Sequence, residues 1–330
     1  MAGPNSNFQA IILAAGIGNR LKPLTNHMPK PLIPFFGTTP FALAHSMLLK
    51  SGIGSIGANS HHLSKFIETA AANLPGSPVK VSVEQPDILG TAGLFNPFAK
   101  WLLAKNVILY NADIISDISI DSLCKTHLDS GAAATMVLLT SAIEGKTPVF
   151  VDSEDWIVGI GTVDSSFKGS RSSLRQASFT GVHALSDLFY RKIPKSGPSE
   201  SIPIYRSFIS EGRKIKAHLH SGYWFDIGDP ASLFDAYRQV GFDASSVTAK
   251  LRQERALGLE LIGSLVRTDE VLVAGKRSIR GGCWISPGVN LPEAFHLERT
   301  IALPGAVIAP GERVLDEIRG YGERIDLSID

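Results

Sequence analysis

Cysteine is nearly absent: the 330 residues hold two, Cys124 and Cys283. They lie far apart with no metal-ligand spacing around them, which excludes a disulfide framework and a cysteine-based zinc site and suits a reducing compartment. Both read as small apolar packing residues. An excess of one charge is also missing: 32 basic side chains face 31 acidic ones, a net charge of +1. Without an extended basic field, nucleic acid and anionic lipid are not expected partners. No apolar run approaches the length of a membrane span, and Met1 to Asn7 lacks the basic start of a secretory leader, so the expected location is cytoplasmic. What is present is a 44% hydrophobic, 19% charged chain, enough for a sizeable core and two domains. Any anion binding must come from local groupings of residues.

One such grouping stands near the start. Phe8-Gln9-Ala10-Ile11-Ile12-Leu13 reads as a buried first strand, and the stretch after it, Leu13 to Leu32, opens at the carboxyl end of a sheet, where α/β proteins hold ligands. Gly16 and Gly18 allow a tight turn with exposed N–H groups, and Arg20, Lys22 and Lys30 add positive charge, a combination suited to phosphate. Neither common phosphate loop fits. The dinucleotide fingerprint needs a glycine where Leu21 stands, and a Walker loop needs Gly-Lys-Ser/Thr.

Gly16-x-Gly18-x-Arg20-Leu21-x-Pro23-Leu24-Thr25, followed by Pro29-Lys30-Pro31-Leu32-Ile33-Pro34, resembles the signature of the sugar-1-phosphate nucleotidylyltransferases, or nucleotide-sugar pyrophosphorylases. The resemblance implies a Rossmann-like α/β fold, a mainly parallel sheet flanked by helices of the GT-A-like nucleotidyltransferase kind. It implies that Leu13, Ala14, Ala15, Gly16, Gly18 and Asn19 line the nucleoside triphosphate, with Arg20 and Lys30 as the catalytic cations.

Further along, Pro40 to Lys50 has helical spacing, started by Thr39 and stopped at Gly52. A strand over Ile53 to Ala58, a helix over His62 to Leu74 and a strand over Val79 to Val83 follow. This alternation predicts right-handed crossovers in a mainly parallel sheet. The segment Glu84 to Gly93 then leaves a strand as a second ligand loop. Its Leu-Gly-Thr-Ala-Gly part resembles the family's base-reading loop, which implies nucleotide contacts at Glu84, Gln85, Gly90 and Thr91. Glu84 and Gln85 read equally well as solvated loop residues. The strand Asn106 to Tyr110 ends in Asn111-Ala112-Asp113, similar to the family's Asn-Gly-Asp metal motif; Asn111 is assigned to the nucleotide and Asp113 to a metal. Mg²⁺ is the implied cofactor, since a hard cation takes oxygen ligands and phosphates supply most of them.

The middle of the chain is strand-like over Ala133 to Leu139, Pro148 to Val151, Ile157 to Ile160 and Ala177 to His183. Phe179-Thr180-Gly181-Val182-His183 resembles the family's acceptor-side strand, implying sugar-phosphate contacts at Thr180 and Gly181. The Glu-Lys-Pro segment usual before that strand is missing; Lys168, Arg171 or Arg175 is a candidate substitute, and the stretch reads equally well as a solvated loop. Lys214 to Leu219 alternates as a strand, and His218 and His220 read as ordinary strand positions rather than zinc ligands. Gly222-Tyr223-Trp224-Phe225-Asp226-Ile227-Gly228-Asp229-Pro230 resembles the family's Trp-x-Asp-Ile-Gly-x-Pro motif, which implies that Asp226 is the second metal carboxylate and that Asp229 or Pro230 starts a helix.

The C-terminal part has a six-residue period, Val289, Phe295, Ile301, Val307 on one phase and Leu291, Leu297, Leu303, Ala309, Leu315 on another, with Pro-Gly turns at 287–288 and 304–305. That pattern predicts a short left-handed β-helix of about two coils. The expected domains are a catalytic one over 1–245 and a helical connection with β-helical cap over 246–330. The expected reaction is nucleotidyl transfer from a nucleoside triphosphate to a sugar 1-phosphate. The pattern is most like mannose-1-phosphate guanylyltransferases, using GTP, or N-acetylmuramic acid 1-phosphate uridylyltransferase, using UTP. Another sugar phosphate, or a non-catalytic nucleotide-sugar sensor, is the alternative, and self-association is left open.

Overall fold

The computed structural model describes residues 5–102, 106–242, 264–266, 272–274, 276–280 and 283–327. Most of the expected helical connection after residue 245 lies outside these residues. The chain divides into two compact units: Met1–Gly16 with Ala44–Trp224, and Ile17–Leu43 with Phe225–Asp330.

The first unit is built on strands β1 (Phe8–Leu13), β2 (Ile56–Ser60), β3 (Lys80–Val83), β4 (Asn106–Asn111), β5 (Ile114–Ser116), β6 (Ala134–Leu139), β7 (Pro148–Val151), β8 (Ile157–Ile160), β9 (Thr162–Val163), β10 (Arg175–Ser186) and β11 (Ile215–His220). All but β5 join one 10-stranded sheet in the order β3-β2-β1-β4-β10-β7-β8-β9, with β6 on β10 and β11 on β6. The four strands β3-β2-β1-β4 run parallel, and β10 runs antiparallel to β4, β6 and β7. β1 and β4 are continuous apolar runs because both faces are covered; Ala10, Ile11, Ile12, Ile108 and Leu109 are buried. One core gathers Ile11, Val107 and Leu109 with Met136, Leu138, Leu185, Phe189, Tyr205 and Phe208.

Helix α1 covers Pro40–Lys50, as the Thr39-Pro40 start and Gly52 stop predict; Thr39 Oγ1 accepts the Ala42 N–H at 3.2 Å. The second expected helix is shorter, α2 at Ser64–Ala72. The chain also contains helices that the sequence reading leaves out: α5 (Ile120–Ser130) and α7 (Ser201–Ser210), on either side of the strand-like middle, with the short α3 (Gly90–Gly93), α4 (Phe95–Phe98) and α6 (Asp187–Tyr190). In α7, Pro203 occupies the first turn, where its missing N–H costs nothing, and Tyr205, Phe208 and Ile209 bury one face.

The second unit holds the loop from Ile17 to Leu43, helix α8 (Pro230–Phe242) and the C-terminal strands. Phe35, Phe36, Tyr237 and Trp284 form a ring cluster with centroids 4.6 to 5.7 Å apart, and the buried Tyr237 hydroxyl donates to the Pro34 carbonyl. Phe295–Ala302 pairs in parallel with Arg277–Arg280, Cys283–Ile285 and Glu312–Gly320: Trp284 opposes Ile301, which opposes Ile318, and Ile279 opposes Leu297, which opposes Val314. Leu297 and Val314 join Cys283, Ile285, Phe295, Ala302, Ala306 and Ile308 in one buried apolar cluster, with Ile279 packed against it.

The expected period holds for Phe295, Leu297, Ile301 and Leu303, which are buried, and fails beyond them. Val307 is 72% exposed and Leu315 is also exposed. The Pro304-Gly305 turn shifts the phase, so that Ala306, Ile308, Val314 and Ile318 point inward instead. Both cysteines are unpaired and buried; burial pushes the Cys124 thiol up to about 12 and Cys283 to about 11, so both act as apolar fillers. Among the described residues no helix is long and apolar enough to cross a membrane.

Candidate functional site

The parallel strands of the first unit end together. Leu13 lies opposite Asn59 and Asn111, and Ser60 opposite Val83, so the segments after β1, β2, β3 and β4 all leave from one edge. The Ala112 N–H donates to the Leu13 carbonyl at 3.0 Å, tying the Asn111-Ala112-Asp113 turn to the start of the glycine loop. Ala14 and Ala15 are buried and Gly16 is exposed, with nothing within 4 Å of where a Cβ would stand. That open backbone suits a bulky anion.

The second ligand loop is held from below. Glu84 is 2% exposed, with its carboxylate accepting from Asn59 Nδ2 at 2.8 Å and from the Leu89 N–H at 2.7 Å. Asn59 Oδ1 in turn accepts the Ala14 N–H at 2.8 Å. The Glu84 carboxylate is therefore turned into the sheet edge, and the Ala14 N–H is taken by Asn59. Gln85 beside it is exposed. Gly90 has φ +77, and a Cβ there would meet Glu200 Oε1 and the Ser199 carbonyl at 2.6 Å. Thr91 Oγ1 donates to Glu200 Oε2 at 2.5 Å. Glu200 escapes a reading of the sequence because it sits over a hundred residues away in a polar Ser-Gly-Pro-Ser stretch. Asn59 has one visible signal, a polar end to an otherwise apolar strand.

On the acceptor side, β10 carries a bulge between Phe179 and His183, and Gly181 has φ +87. A Cβ there would meet Asn111 Nδ2 at 2.7 Å, so glycine lets the acceptor strand touch the metal-motif turn. Thr180 is buried, its hydroxyl donating to the Val137 carbonyl and its own carbonyl accepting Trp224 Nε1 at 2.9 Å. Its side chain therefore belongs to the sheet. Of the basic substitutes, Arg175 pairs with Asp155 and donates to the Asp152 carbonyl. Lys146 instead lies over the Trp224 ring, 4.8 Å from its centre. His218 and His220 each have ordinary partners, Thr126 at 2.9 Å and the Tyr223 carbonyl at 3.2 Å.

The second unit gathers the charged half of the signature. Gly18 is left-handed at φ +71, and a Cβ would strike Thr25 Cγ2 at 2.9 Å; Thr25 Oγ1 donates to the Gly18 carbonyl at 2.9 Å, closing the turn. Asn19 and Arg20 project outward while Leu21 and Leu24 are buried beneath them. Arg20, 67% exposed, pairs with Asp229 at 3.1 Å. Asp229 also caps α8, accepting the Ser232 N–H at 2.9 Å. A Cβ on Gly228 would lie 2.5 Å from Arg20 Nη2 and 2.9 Å from Asp226 Oδ1. Arg20 and Asp226 therefore converge over Gly228, with Asp229 joined through Arg20, and Lys30 is half-buried on the same loop, its Cβ 3.3 Å from the Gly18 Cβ position. Asp113 belongs to the first unit and Asp226 to the second. No group of three or more His, Cys, Asp or Glu that could hold a metal occurs among the described residues.

Gly16, Gly18, Arg20 and Lys30 thus stand on one loop, with Arg20 paired to Asp229. Residues 9–147 match the family model described as Nucleotidyl transferase. The chain's relatives by sequence are sugar-phosphate enzymes of this class. It is 26% identical, over 93% of its length and 83% of the relative's, to probable mannose-1-phosphate guanylyltransferase 2 of Arabidopsis thaliana. It is 28% identical to mannose-1-phosphate guanylyltransferase catalytic subunit beta of Danio rerio, over 68% of this chain and 62% of that one. Two solved structures share the fold at TM-score 0.56. HddC from Yersinia pseudotuberculosis, complexed with GMP-PN, is 21% identical, covering 69% of this chain and 97% of that one. The inositol-1-phosphate CTP transferase from T. maritima is 19% identical, covering 72% and 97%.

Proposed function

We propose that the protein transfers a guanylyl group from GTP to mannose 1-phosphate, releasing pyrophosphate. The observation that carries the phosphate chemistry is the convergence of Arg20 and Asp226 over Gly228, with Asp229 paired to Arg20. Likeness to mannose-1-phosphate guanylyltransferases over 93% of the chain supports the choice of substrates. In this reading an oxygen of the sugar phosphate attacks the α-phosphorus in line and the pyrophosphate oxygen leaves, so the protein positions the reactants and offsets charge on phosphoryl oxygens. Arg20, Lys30 and the amides from Ala15 to Asn19 hold the triphosphate; the Gly90-Thr91 turn faces the base; the Gly181 backbone faces the sugar. Asp113 and Asp226 would hold Mg²⁺, which supplies charge neutralisation at phosphate oxygens. The donor set fits a hard cation: both are carboxylates, and Asp226 Oδ1 borders the space that a Cβ on Gly228 would fill.

Residues 1–245 are taken as the catalytic domain in the cytoplasm, with the C-terminal coils as a left-handed β-helical cap. The test is pyrophosphate release in Mg²⁺ across GTP, UTP, TTP, CTP and ATP against mannose, glucose, N-acetylglucosamine and N-acetylmuramic acid 1-phosphates. Turnover is expected with GTP and mannose 1-phosphate. A productive UTP pair would replace the guanine assignment. Silence throughout, with nucleotide sugars still bound, would favour a sensor.

A further inference from the structure

Asn59 and Glu84 connect two loops that no sequence motif connects. The chain of bonds runs from the Ala14 N–H to Asn59 Oδ1 at 2.8 Å, from Asn59 Nδ2 to Glu84 Oε1 at 2.8 Å, and from the Leu89 N–H to Glu84 Oε2 at 2.7 Å. Both side chains are buried, at 3% and 2% exposure. The Glu84 backbone is fixed as well, its N–H donating to the Ser60 carbonyl at 2.8 Å and its carbonyl meeting His61 Nδ1 at 2.9 Å. Every donor in this chain faces an acceptor, so its direction is set: turning the Asn59 amide over would point its NH₂ at the Ala14 N–H. Hydrogen bonds to a buried carboxylate are strong and are costly to leave half-made. One end of the chain holds the first residue of the glycine loop, and the other holds the residue before Gly90.

We propose that Asn59 and Glu84 are positioning residues that set the spacing between the triphosphate loop and the base loop, touching neither substrate. The inference rests on the proposed function, because it takes these loops as the nucleotide's. Both anchored amides belong to segments leaving one sheet edge, so a shift in the relay moves the phosphate-facing and base-facing segments relative to each other. Displacements of about 1 Å in such loops change rates by orders of magnitude.

The relay's polarity makes it testable by exchange. In Glu84→Gln the new NH₂ must face either Asn59 Nδ2 or the Leu89 N–H, both donors. In Asn59→Asp two carboxylates meet, and one must take up a proton. The double variant Asn59→Asp/Glu84→Gln restores every pair with the same net charge. Its new amide at position 84 donates to the new carboxylate at position 59 and accepts the Leu89 N–H, while that carboxylate accepts the Ala14 N–H. Hydrogen exchange at the Ala14 and Leu89 amides, melting temperature, equilibrium binding of GTP and UTP, and the KM and kcat for nucleotide would be measured on the full chain. Each single variant is expected to deprotect both amides and to weaken nucleotide binding and raise its KM about tenfold, with a smaller change in kcat. The double variant is expected to regain protection and to bind within about threefold of the wild type.

Single variants that melt earlier yet bind nucleotide like the wild type would reduce the relay to ordinary packing and overturn the proposal. A double variant no better than either single one would do the same. A wild type that binds neither GTP nor UTP would instead remove the nucleotide reading and the relay's purpose with it, whatever the amide exchange shows, so the two failures are told apart.

Discussion

The two units handle polarity in opposite ways. At the sheet edge of the first, the polar groups that hold ligand loops are buried and complete: Asn59, Glu84 and Thr180 are almost without solvent, and each carries protein partners. In the second, the groups that would meet phosphate stay wet, with Arg20 two-thirds exposed and held by one ion pair to Asp229. The difference follows from electrostatics. Positioning needs short bonds that do not rearrange, which a desolvated network provides. A cation that must receive a highly charged ligand keeps its hydration until the ligand arrives, because burying it beforehand would cost several kcal/mol. An exposed pair such as Arg20 and Asp229 contributes at most about 1 kcal/mol to stability, so it can be exchanged for phosphate at little cost.

If this division of labour holds, damage in the second unit should reach turnover and leave folding untouched. The largest effect is expected from Asp226→Asn and Lys30→Ala, each lowering kcat by about 10²- to 10³-fold, with the melting temperature moved by no more than about 2 °C. Steady-state kinetics beside thermal melts check this, and near-normal rates in either variant would remove its assigned role.

The first unit, by contrast, should show its buried polar groups in stability. His127 is buried against Thr135 and titrates at about 4 because burial disfavours its charged form. An unfolded histidine titrates near 6.5, so the unfolded chain gains the extra proton first as pH falls. The stability tied to neutral His127 is therefore complete above about pH 6.5 and is lost as pH drops toward 4, by about 3 kcal/mol. Denaturant midpoints between pH 7 and 4.5 should fall less steeply in His127→Gln than in the wild type. Equal slopes would show that this histidine does not drive the acid loss.

The smallest and sharpest contrast comes from two glycines. Gly181→Ala must strain a φ of +87 and push a Cβ into Asn111, at a cost of about 1–3 kcal/mol in stability. Gly228→Ala meets the mobile end of Arg20 at 2.5 Å, so it should fold normally and lose about tenfold in turnover by displacing the guanidinium. Were Gly228→Ala the less stable of the two, the assignment of rigidity to one unit and mobile charge to the other would be wrong.

Much of this is legible in sequence where local rules decide. Pro40–Lys50 begins and ends where Thr39, Pro40 and Gly52 say it should, since capping and glycine conformations act within a few residues. The strands Phe8–Leu13, Pro148–Val151 and Ile157–Ile160 follow their apolar runs. Helix Ile120–Ser130 is hidden because its buried face, Ile120, Leu123, Cys124 and His127, includes a histidine and a cysteine that weaken the apolar period. The six-residue period holds up to Leu303 and fails after it, because one Pro-Gly turn resets which side chains face the coil's axis.

The amino-acid order by itself carries the resemblance to the sugar-1-phosphate nucleotidylyltransferases and the contiguous motifs on which it rests. The glycine-arginine-lysine loop, the strand-end aspartate and the Trp-x-Asp-Ile-Gly motif are each contiguous, and their chemistry depends on residue type and short spacing. Only the tertiary structure decided what each polar group faces. Glu84 and Gln85 are neighbours and equally polar on paper, yet one closes a buried relay with Asn59 and Leu89 while the other meets solvent. Likewise Arg20 and Asp229 are 209 positions apart and 3.1 Å apart in space. Burial and pairing at that range come from how strands and turns pack, and local sequence carries no term for them.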